Sequence, residues 1–113
     1  MKMKKVTKAK LKKLEKKRIN KLFKEWTLKV KARDNNQCII CKNKKMLNAH
    51  HIITRSNEKL RFDIDNGASL CPLHHNFSRE ISAHKNSFAF FIWMQENRKE
   101  QYESLKKKWK ELQ

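Results

Sequence analysis

Two short cysteine-containing motifs carry the clearest chemical signal in this sequence. The first, "CIIC", brings Cys38 and Cys41 into one tight turn, and the second, "CPLH", places Cys71 and His74 at the same spacing 30 positions further on. Three thiolates and one imidazole are a ligand set that a tetrahedral structural zinc ion takes. A redox role for "CIIC" is disfavoured, because the thioredoxin-like βαβ pattern is absent and three cysteines fit a disulfide framework poorly. The spacing therefore predicts structural Zn²⁺ at these four residues.

A second set of polar residues is left over once the zinc ligands are assigned. It contains His50 and His51, side by side in "NAHHIIT", then Asn66, and finally His75, which directly follows the predicted zinc ligand His74. Neighbouring helical residues point about 100° apart, so one metal ion cannot easily take both members of the second pair. In a strand, the first pair faces opposite sides, or it diverges at a bulge, so its members are expected to have separate roles. In the second pair, either one histidine has no role or two different sites meet there.

Periodicity indicates the elements that position these residues. Apolar residues recur at three- and four-residue steps near the N-terminus, which predicts an amphipathic helix. The turn-forming "RDNNQC" (33–38) ends it. The stretch "MLNAHHIIT" predicts a strand, and "RFDIDNGASLCP" predicts a turn through "DNG" into a short second strand, with a helix starting near Pro72. The helical positions are Leu11, Leu14, Ile19, Leu22, Phe23, Trp26 and Val30.

The C-terminal part is predicted to be helical and to pack its apolar residues into the core. Two groups at helical spacing support this interpretation, with "ENRKE" as a candidate break between two helices because Asn97 is a weak helix former. His84 has no assigned role and is interpreted as a solvated or core histidine. The two apolar groups are Phe88, Phe91 and Ile92, and then Tyr102, Leu105, Trp109 and Leu112.

These elements predict a mostly helical α+β protein with one compact domain in three parts. A basic arm and helix occupies 1–33, a ββα core with its zinc motifs occupies 34–84, and a helical extension occupies 85–113. Few apolar residues lie in the middle part, so its hydrophobic core is small. A zinc ion would supply the stabilisation that such a core lacks.

From Trp26 to His75 the sequence resembles the HNH endonucleases, the ββα-metal nuclease family. The family pattern is C-x-x-C, an acid or His followed by His, then Asn, then C-x-x-C or C-x-x-H followed by His. It is met here by "CIIC", "AHHI", "DNG" and "LCPLHH", with steps of 15 residues from His51 to Asn66 and 9 from Asn66 to His75. The upstream "EWTLKVKARDNNQC" is similar to the family's lead-in helix.

The resemblance implies a role for each remaining residue. His51 would be the general base that takes a proton from the attacking water, and Asn66 would hold the loop that orients the His51 ring. His50 and His75 would coordinate one catalytic divalent metal at the scissile phosphate. His74 replaces the commoner fourth zinc cysteine. His50 stands where many members carry an acid, and imidazole suits Mn²⁺, Co²⁺ or Ni²⁺ better than Mg²⁺.

The charge of the chain points to a polyanionic partner. The net charge is +18, and residues 1–33 alone hold 15 lysines and arginines against two acids. Nucleic acid ranks ahead of an anionic membrane as this partner, and the resemblance to the HNH endonucleases implies DNA, in the first place duplex DNA. Arg55 and Arg61 flank the predicted site and are either phosphate clamps or surface residues. No apolar run approaches the ~20 residues of a membrane span, and no apolar region follows the charged start as in a secretory signal, so a cytoplasmic location is expected.

Three functions therefore remain open at the level of sequence. The first is a metal-dependent DNA endonuclease that nicks as a monomer, with specificity that is loose or supplied by a protein partner. The second is a catalytically inactive, zinc-stapled DNA-binding module, and the third is an RNA-acting nuclease of the same fold. The sequence leaves the oligomeric state open. A small, lysine-rich chain of this kind fits a phage or mobile-element origin.

Overall fold

The computed structural model describes residues 5–113, so the first four residues of the predicted basic arm lie outside the described part. The protein is a mixture of helices and one small two-stranded sheet, as the predicted fold class requires. No helix among these residues has both the length and the apolar content needed to cross a membrane. The elements are helix α1 (Lys8–Arg33), strand β1 (Asn48–His51), a 3₁₀ turn (Ile64–Asn66), strand β2 (Gly67–Leu70), a π-helical turn (Leu73–Phe77), helix α2 (Ser87–Asn97) and helix α3 (Lys99–Glu111).

Helix α1 is anchored only along its C-terminal half. It begins after Thr7, whose side chain accepts a hydrogen bond from the Lys10 N–H at 3.1 Å. Trp26 and Val30 are buried, whereas residues 5–18 are all exposed. The predicted amphipathic stripe is therefore not covered at its N-terminal end, where Leu11 and Leu14 remain more than half exposed. At about 1.5 Å per residue, α1 accounts for much of the 63 Å length of the molecule.

The only glycine of the sequence lets α1 pack directly against the sheet. The two strands are antiparallel, with His51 opposite Gly67 and His50 opposite Ala68. A Cβ atom on Gly67 would lie 2.7 Å from Cζ2 of Trp26 and closer still to Cγ2 of Val30. Such distances are far below van der Waals contact, so no larger residue fits here without moving α1.

Strand β1 is shorter than the sequence predicted. The apolar pattern of "MLNAHHIIT" continues to Thr54, but β1 ends at His51. The side chain of Asn66 accepts a hydrogen bond from the Ile53 N–H at 2.6 Å and donates one to the Ile53 carbonyl at 3.0 Å. These bonds replace a strand partner and turn the chain into the loop that leads to β2.

A buried carboxylate ties the helices to the sheet. Asp34, at the end of α1, accepts hydrogen bonds from Arg33, from Arg98 at 2.7 Å and from the Ser69 N–H at 2.9 Å. Burial raises the pKa of this carboxyl, but the hydrogen bonds outweigh it and the net pKa is lowered. Arg98 lies between α2 and α3, so the predicted break at "ENRKE" is confirmed.

The predicted core positions of the C-terminal part are only partly correct. Phe90 and Met94 are buried, together with Leu105, but Phe88 is 76% exposed and Phe91 40% exposed. Helix α2, capped by Asn86 and starting at Ser87, therefore turns the face with Phe90 and Met94 towards the core and leaves the predicted patch at its edge. Apolar side chains including Ile52, Phe91, Tyr102 and Trp109 line an open groove instead.

Candidate metal centres and the histidine cleft

The four predicted zinc ligands meet at one point. Cys38 and Cys41 lie in a tight turn, Cys71 follows β2, and His74 is in the π-helical turn. Their ligand atoms all lie within 4.8 Å of one another. The Sγ atoms of Cys41 and Cys71 are 3.6 Å apart, and Nδ1 of His74 lies 3.4 Å from Sγ of Cys71 and 3.7 Å from Sγ of Cys38. This cluster could hold a structural metal ion.

Three of the six distances among these ligand atoms are close to those of tetrahedral coordination. With Zn–S bonds of about 2.3 Å and Zn–N bonds of about 2.05 Å, the tetrahedral angle puts two sulfurs about 3.8 Å apart and a sulfur and a nitrogen about 3.6 Å apart. The three distances above differ from these values by no more than about 0.2 Å. Ordinary van der Waals packing would not require a nitrogen and three sulfurs to converge in this way.

A second cluster contains three histidines, of which the sequence predicted two. The ring centroids of His50, His75 and His84 form a nearly regular triangle with sides of 5.1, 4.9 and 4.7 Å. Nε2 of His75 lies 3.1 Å from Nε2 of His84. The interpretation of His84 as a histidine without a role in the site missed this arrangement, and no motif marks it. Its position depends on backbone bonds from the Ala83 and His84 N–H groups to the carbonyls of His74 and His75.

Two histidines of this cluster, His50 and His75, are held in the neutral form. Burial, together with the neighbouring imidazoles of His75, His84 and His51, lowers the pKa of His50 to about 3. Burial, followed by the proximity of His84, also lowers the pKa of His75. Since neutral imidazole is the form that binds metal ions, both residues are prepared for that role at pH 7.

His51 lies on the opposite face of β1 and is fixed on two sides. Its ring stacks on the indole of Trp26, with centroids 3.9 Å apart and planes at 9°, and Phe23 approaches edge-on at 5.6 Å. Nε2 of His51 lies 2.9 Å from the Arg61 carbonyl. A carbonyl can only accept, so in the neutral ring Nε2 carries the hydrogen and Nδ1 keeps its lone pair. Burial lowers the pKa of His51, so the neutral ring is favoured.

Asn66 holds the loop that supplies this carbonyl. Its side chain is fully buried and, besides its two bonds to Ile53, donates to the Leu60 carbonyl at 3.1 Å. Leu60 directly precedes Arg61, whose carbonyl meets His51. The amide therefore fixes the loop at Ile53 and at Leu60, and with Leu60 the neighbouring carbonyl that orients the imidazole.

Although His50 and His51 point to opposite faces of β1, both line one cleft of about 450 Å³ at the end of this strand. His50, His75 and His84 line it, as do His51, the flanking Arg55 and the aromatic residues Phe90 and Phe91. The guanidinium of Arg55 lies 5.8 Å from the ring centroid of Phe23, whereas that of Arg61 lies over Phe62 at 5.2 Å. Of the two arginines singled out in the sequence, only Arg55 lines this cleft.

Comparison of the chain with protein-family models, with curated proteins and with solved structures finds no match. The chemical groups that this chain brings together are one cluster of three thiols and an imidazole, one cluster of three histidines, and an oriented fourth histidine beside an arginine.

Proposed function

We propose that this protein is a metal-dependent DNA endonuclease of the HNH type, which hydrolyses phosphodiester bonds and nicks duplex DNA as a monomer. One observation carries the proposal. His51 lines the same cleft as the His50–His75 pair, with Nε2 bonded to a backbone carbonyl and no hydrogen-bond partner for Nδ1 among residues 5–113. A neutral imidazole with one free, oriented nitrogen is what a general base requires.

In this proposal His51 removes the proton from the attacking water. The ordinary pKa of histidine is about 6.5, and burial lowers the pKa of His51. At pH 7 the ring is therefore neutral, and the lone pair on Nδ1 is available to take the proton from water. The Arg61 carbonyl stabilises the imidazolium that forms, because the Nε2–H bond strengthens as the ring gains charge. Asn66 acts through the loop and is a positioning residue.

His50 and His75 would hold the catalytic divalent metal, Mn²⁺, Co²⁺, Ni²⁺ or Mg²⁺. When bound, such an ion neutralises charge that develops on the phosphate and its leaving oxygen. Both imidazoles are neutral at pH 7, so they present lone pairs without first losing a proton. Arg55, at the wall of the cleft, binds a non-bridging phosphate oxygen as a fixed positive charge.

Cys38, Cys41, Cys71 and His74 would hold structural zinc. The fit of their ligand atoms to tetrahedral coordination supports this assignment. His74 and His75 are consecutive in the π-helical turn, so the ion that fixes one fixes the backbone of the other. The proposed zinc-stapled ββα core is β1, β2 and this turn.

The exposed part of α1 supplies affinity for DNA. Its lysines face solvent along residues 5–18 and have few acids to neutralise them. Contacts between lysines and phosphates release counterions and depend on salt rather than on sequence. This surface therefore favours non-specific binding, with any preference for a site supplied by a protein partner.

The test measures the nicking of a supercoiled plasmid by the full chain. The protein is first freed of loosely bound divalent ions, and Mn²⁺ or Mg²⁺ is then added. Wild type should nick only with the added metal, and His51→Ala should lose about 10²–10⁴-fold in rate while binding DNA normally. Lys59→Ala, an exposed change in the loop that follows β1, is the control. Retention of more than a tenth of the activity by His51→Ala would remove this residue from its role.

The same assay separates the two alternatives. A wild-type protein that binds the plasmid but leaves it supercoiled with every metal would be the inactive DNA-binding module. Faster cleavage of RNA than of duplex or single-stranded DNA would instead identify the RNA-acting nuclease. Either result would overturn the proposal.

A further inference from the structure

We propose that His84 is a third imidazole ligand of the divalent metal held by His50 and His75, so that this chain builds a three-histidine site from three separate segments. The inference rests on the proposed function, because it concerns the same metal. It adds a ligand from outside the segment that resembles the HNH endonucleases, which ends at His75. Within residues 5–113, these three histidines are the second group whose ligand atoms converge within 4.8 Å.

The distance between the two nearest ring nitrogens suits shared coordination. Nε2 of His75 and Nε2 of His84 are 3.1 Å apart. With metal–nitrogen bonds of about 2.1 Å, two ligands lie about 3.0 Å apart at 90° and about 3.4 Å apart at the tetrahedral angle. The observed value is close to that of neighbouring ligands in octahedral coordination. A hydrogen bond between the two rings has the same length, so the experiment must distinguish the two.

The loop that carries His84 is tied to the residues it would assist. The His84 N–H donates to the His75 carbonyl at 3.0 Å, and the Ala83 N–H donates to the His74 carbonyl at 2.9 Å. The loop is closed on itself by Asn86, which donates to the carbonyls of Arg79 and Glu80 at 3.1 Å. An exposed histidine on an untethered loop would sample many positions, whereas this one is fixed by backbone bonds to the metal-binding turn.

The surroundings of the cluster leave the ring nitrogens available. The amide nitrogen Nδ2 of Asn76 lies 3.3 Å from Nδ1 of His75, and Nε2 is the nitrogen of His75 that faces His84. A half-turn of the Asn76 amide would bring its oxygen to an Nδ1–H group and would make Asn76 the outer partner that metal-binding histidines usually have. Phe90 contacts the His50 ring edge-on at 5.9 Å and covers one side of the cluster.

A third imidazole changes which ions the site selects. Three imidazole nitrogens favour Co²⁺, Ni²⁺ and Zn²⁺ over Mg²⁺, which prefers oxygen and gives up its water reluctantly. Three ligands on one side of an octahedron leave the opposite three positions for water and phosphate oxygens. His84 is exposed, so its removal should open the site without disturbing the core.

The experiment measures metal binding rather than activity. The zinc-loaded full chain is titrated with Ni²⁺ in a calorimeter, with its zinc content measured before and after. His84→Ala should bind Ni²⁺ at least about tenfold more weakly than wild type, since even indirect supports of a metal site cost 10–100-fold when removed. Lys85→Ala, an exposed neighbour, should bind as wild type does. Equal melting temperatures for the two variants would show that the fold is intact.

The outcomes separate this inference from the proposed function. Wild-type affinity in His84→Ala, combined with weak binding by His50→Ala, would show that His84 is only a hydrogen-bond partner and would overturn the inference alone. A wild-type protein that takes up no Ni²⁺ beyond its zinc would overturn both. Weak binding by His84→Ala in a protein that never nicks DNA would support the three-histidine site and reject the nuclease.

Discussion

Asn66 offers the sharpest test of how the site is held together, because one of its side-chain atoms accepts a hydrogen bond and the other donates. Oδ1 accepts a hydrogen bond from the Ile53 N–H at 2.6 Å, and Nδ2 donates to the carbonyls of Ile53 and Leu60 at 3.0 and 3.1 Å. Asn66→Ala removes both atoms, whereas Asn66→Asp keeps the acceptor and replaces the donor with a second oxygen. The first variant therefore measures the loss of the hydrogen bonds, and the second measures the repulsion between the new oxygen and the carbonyl oxygens of Ile53 and Leu60.

The magnitudes follow from what each change leaves behind. Asn66→Ala leaves the Ile53 N–H without its partner, which costs about 1–3 kcal/mol, plus about 1 kcal/mol for the remaining bonds. The Leu60 carbonyl still accepts from the Asp63 N–H at 3.0 Å, so it is not orphaned. The expected loss in the free energy of unfolding is therefore about 2–4 kcal/mol. Asn66→Asp buries a carboxylate against two carbonyl oxygens, so it should cost more despite its nearly identical shape.

The assay is urea unfolding of the zinc-loaded protein, with circular dichroism as the signal that monitors the transition. Asn57→Ala is the matched control, since this asparagine caps the same loop with longer bonds of 3.2 Å to backbone N–H groups and should cost only about 0.5–1.5 kcal/mol. Nicking by folded Asn66→Ala should also fall, because the Arg61 carbonyl no longer orients His51. If Asn66→Asp were as stable as wild type, or milder than Asn66→Ala, the assigned hydrogen bonds would be wrong.

Three further predictions concern the metals and the DNA. Cys71→Ser should lose zinc and unfold the middle of the chain, because structural zinc supplies folding free energy; unchanged circular dichroism and melting would reject the Cys₃His assignment. Deletion of residues 1–10 removes five lysines and should flatten the salt dependence of DNA binding by up to about 0.9 in slope for each phosphate that is no longer neutralised; an unchanged slope in binding titrations would mean that these lysines are merely solvated. Wild type should nick at lower concentrations of Mn²⁺, Co²⁺ or Ni²⁺ than of Mg²⁺, and His50→Asp should shift this preference towards Mg²⁺; metal titrations of both proteins that give equal requirements would exclude His50 as a ligand.

The short-range motifs predicted the cluster of three cysteines and His74 well. Cys38 and Cys41, like Cys71 and His74, are three residues apart, so local turn geometry alone brings each pair together. Only the contact between the two pairs depends on the tertiary fold, and this contact was already indicated because the four residues together form one zinc ligand set. The same holds for His50 and His51, since alternation along a strand places neighbours on opposite faces whatever the exact ends of the strand are.

Contacts that depend on the path of the chain were not predictable. His84 joins the histidine cluster through backbone hydrogen bonds of its loop. Almost any residue type can make such bonds, so the sequence does not reveal them. Periodicity similarly identifies the apolar face of a helix but not whether another element covers it. Leu11 and Leu14 fit the stripe of α1 as well as Trp26 does, yet they remain exposed because nothing in residues 5–113 lies over them.

The consecutive placement of His74 and His75 means that the two proposed metal sites cannot be filled independently. A single peptide bond joins the two proposed ligands. Zinc that orders the π-helical turn therefore also orders the His75 backbone, so an ion at the histidine cluster binds with a smaller loss of conformational entropy. Thermodynamic linkage makes the effect mutual: an ion at the cluster must tighten zinc by the same factor. A zinc-starved copy would then be a cationic chain that covers DNA without cutting it, and the supply of one metal would set the fraction of copies able to use the other.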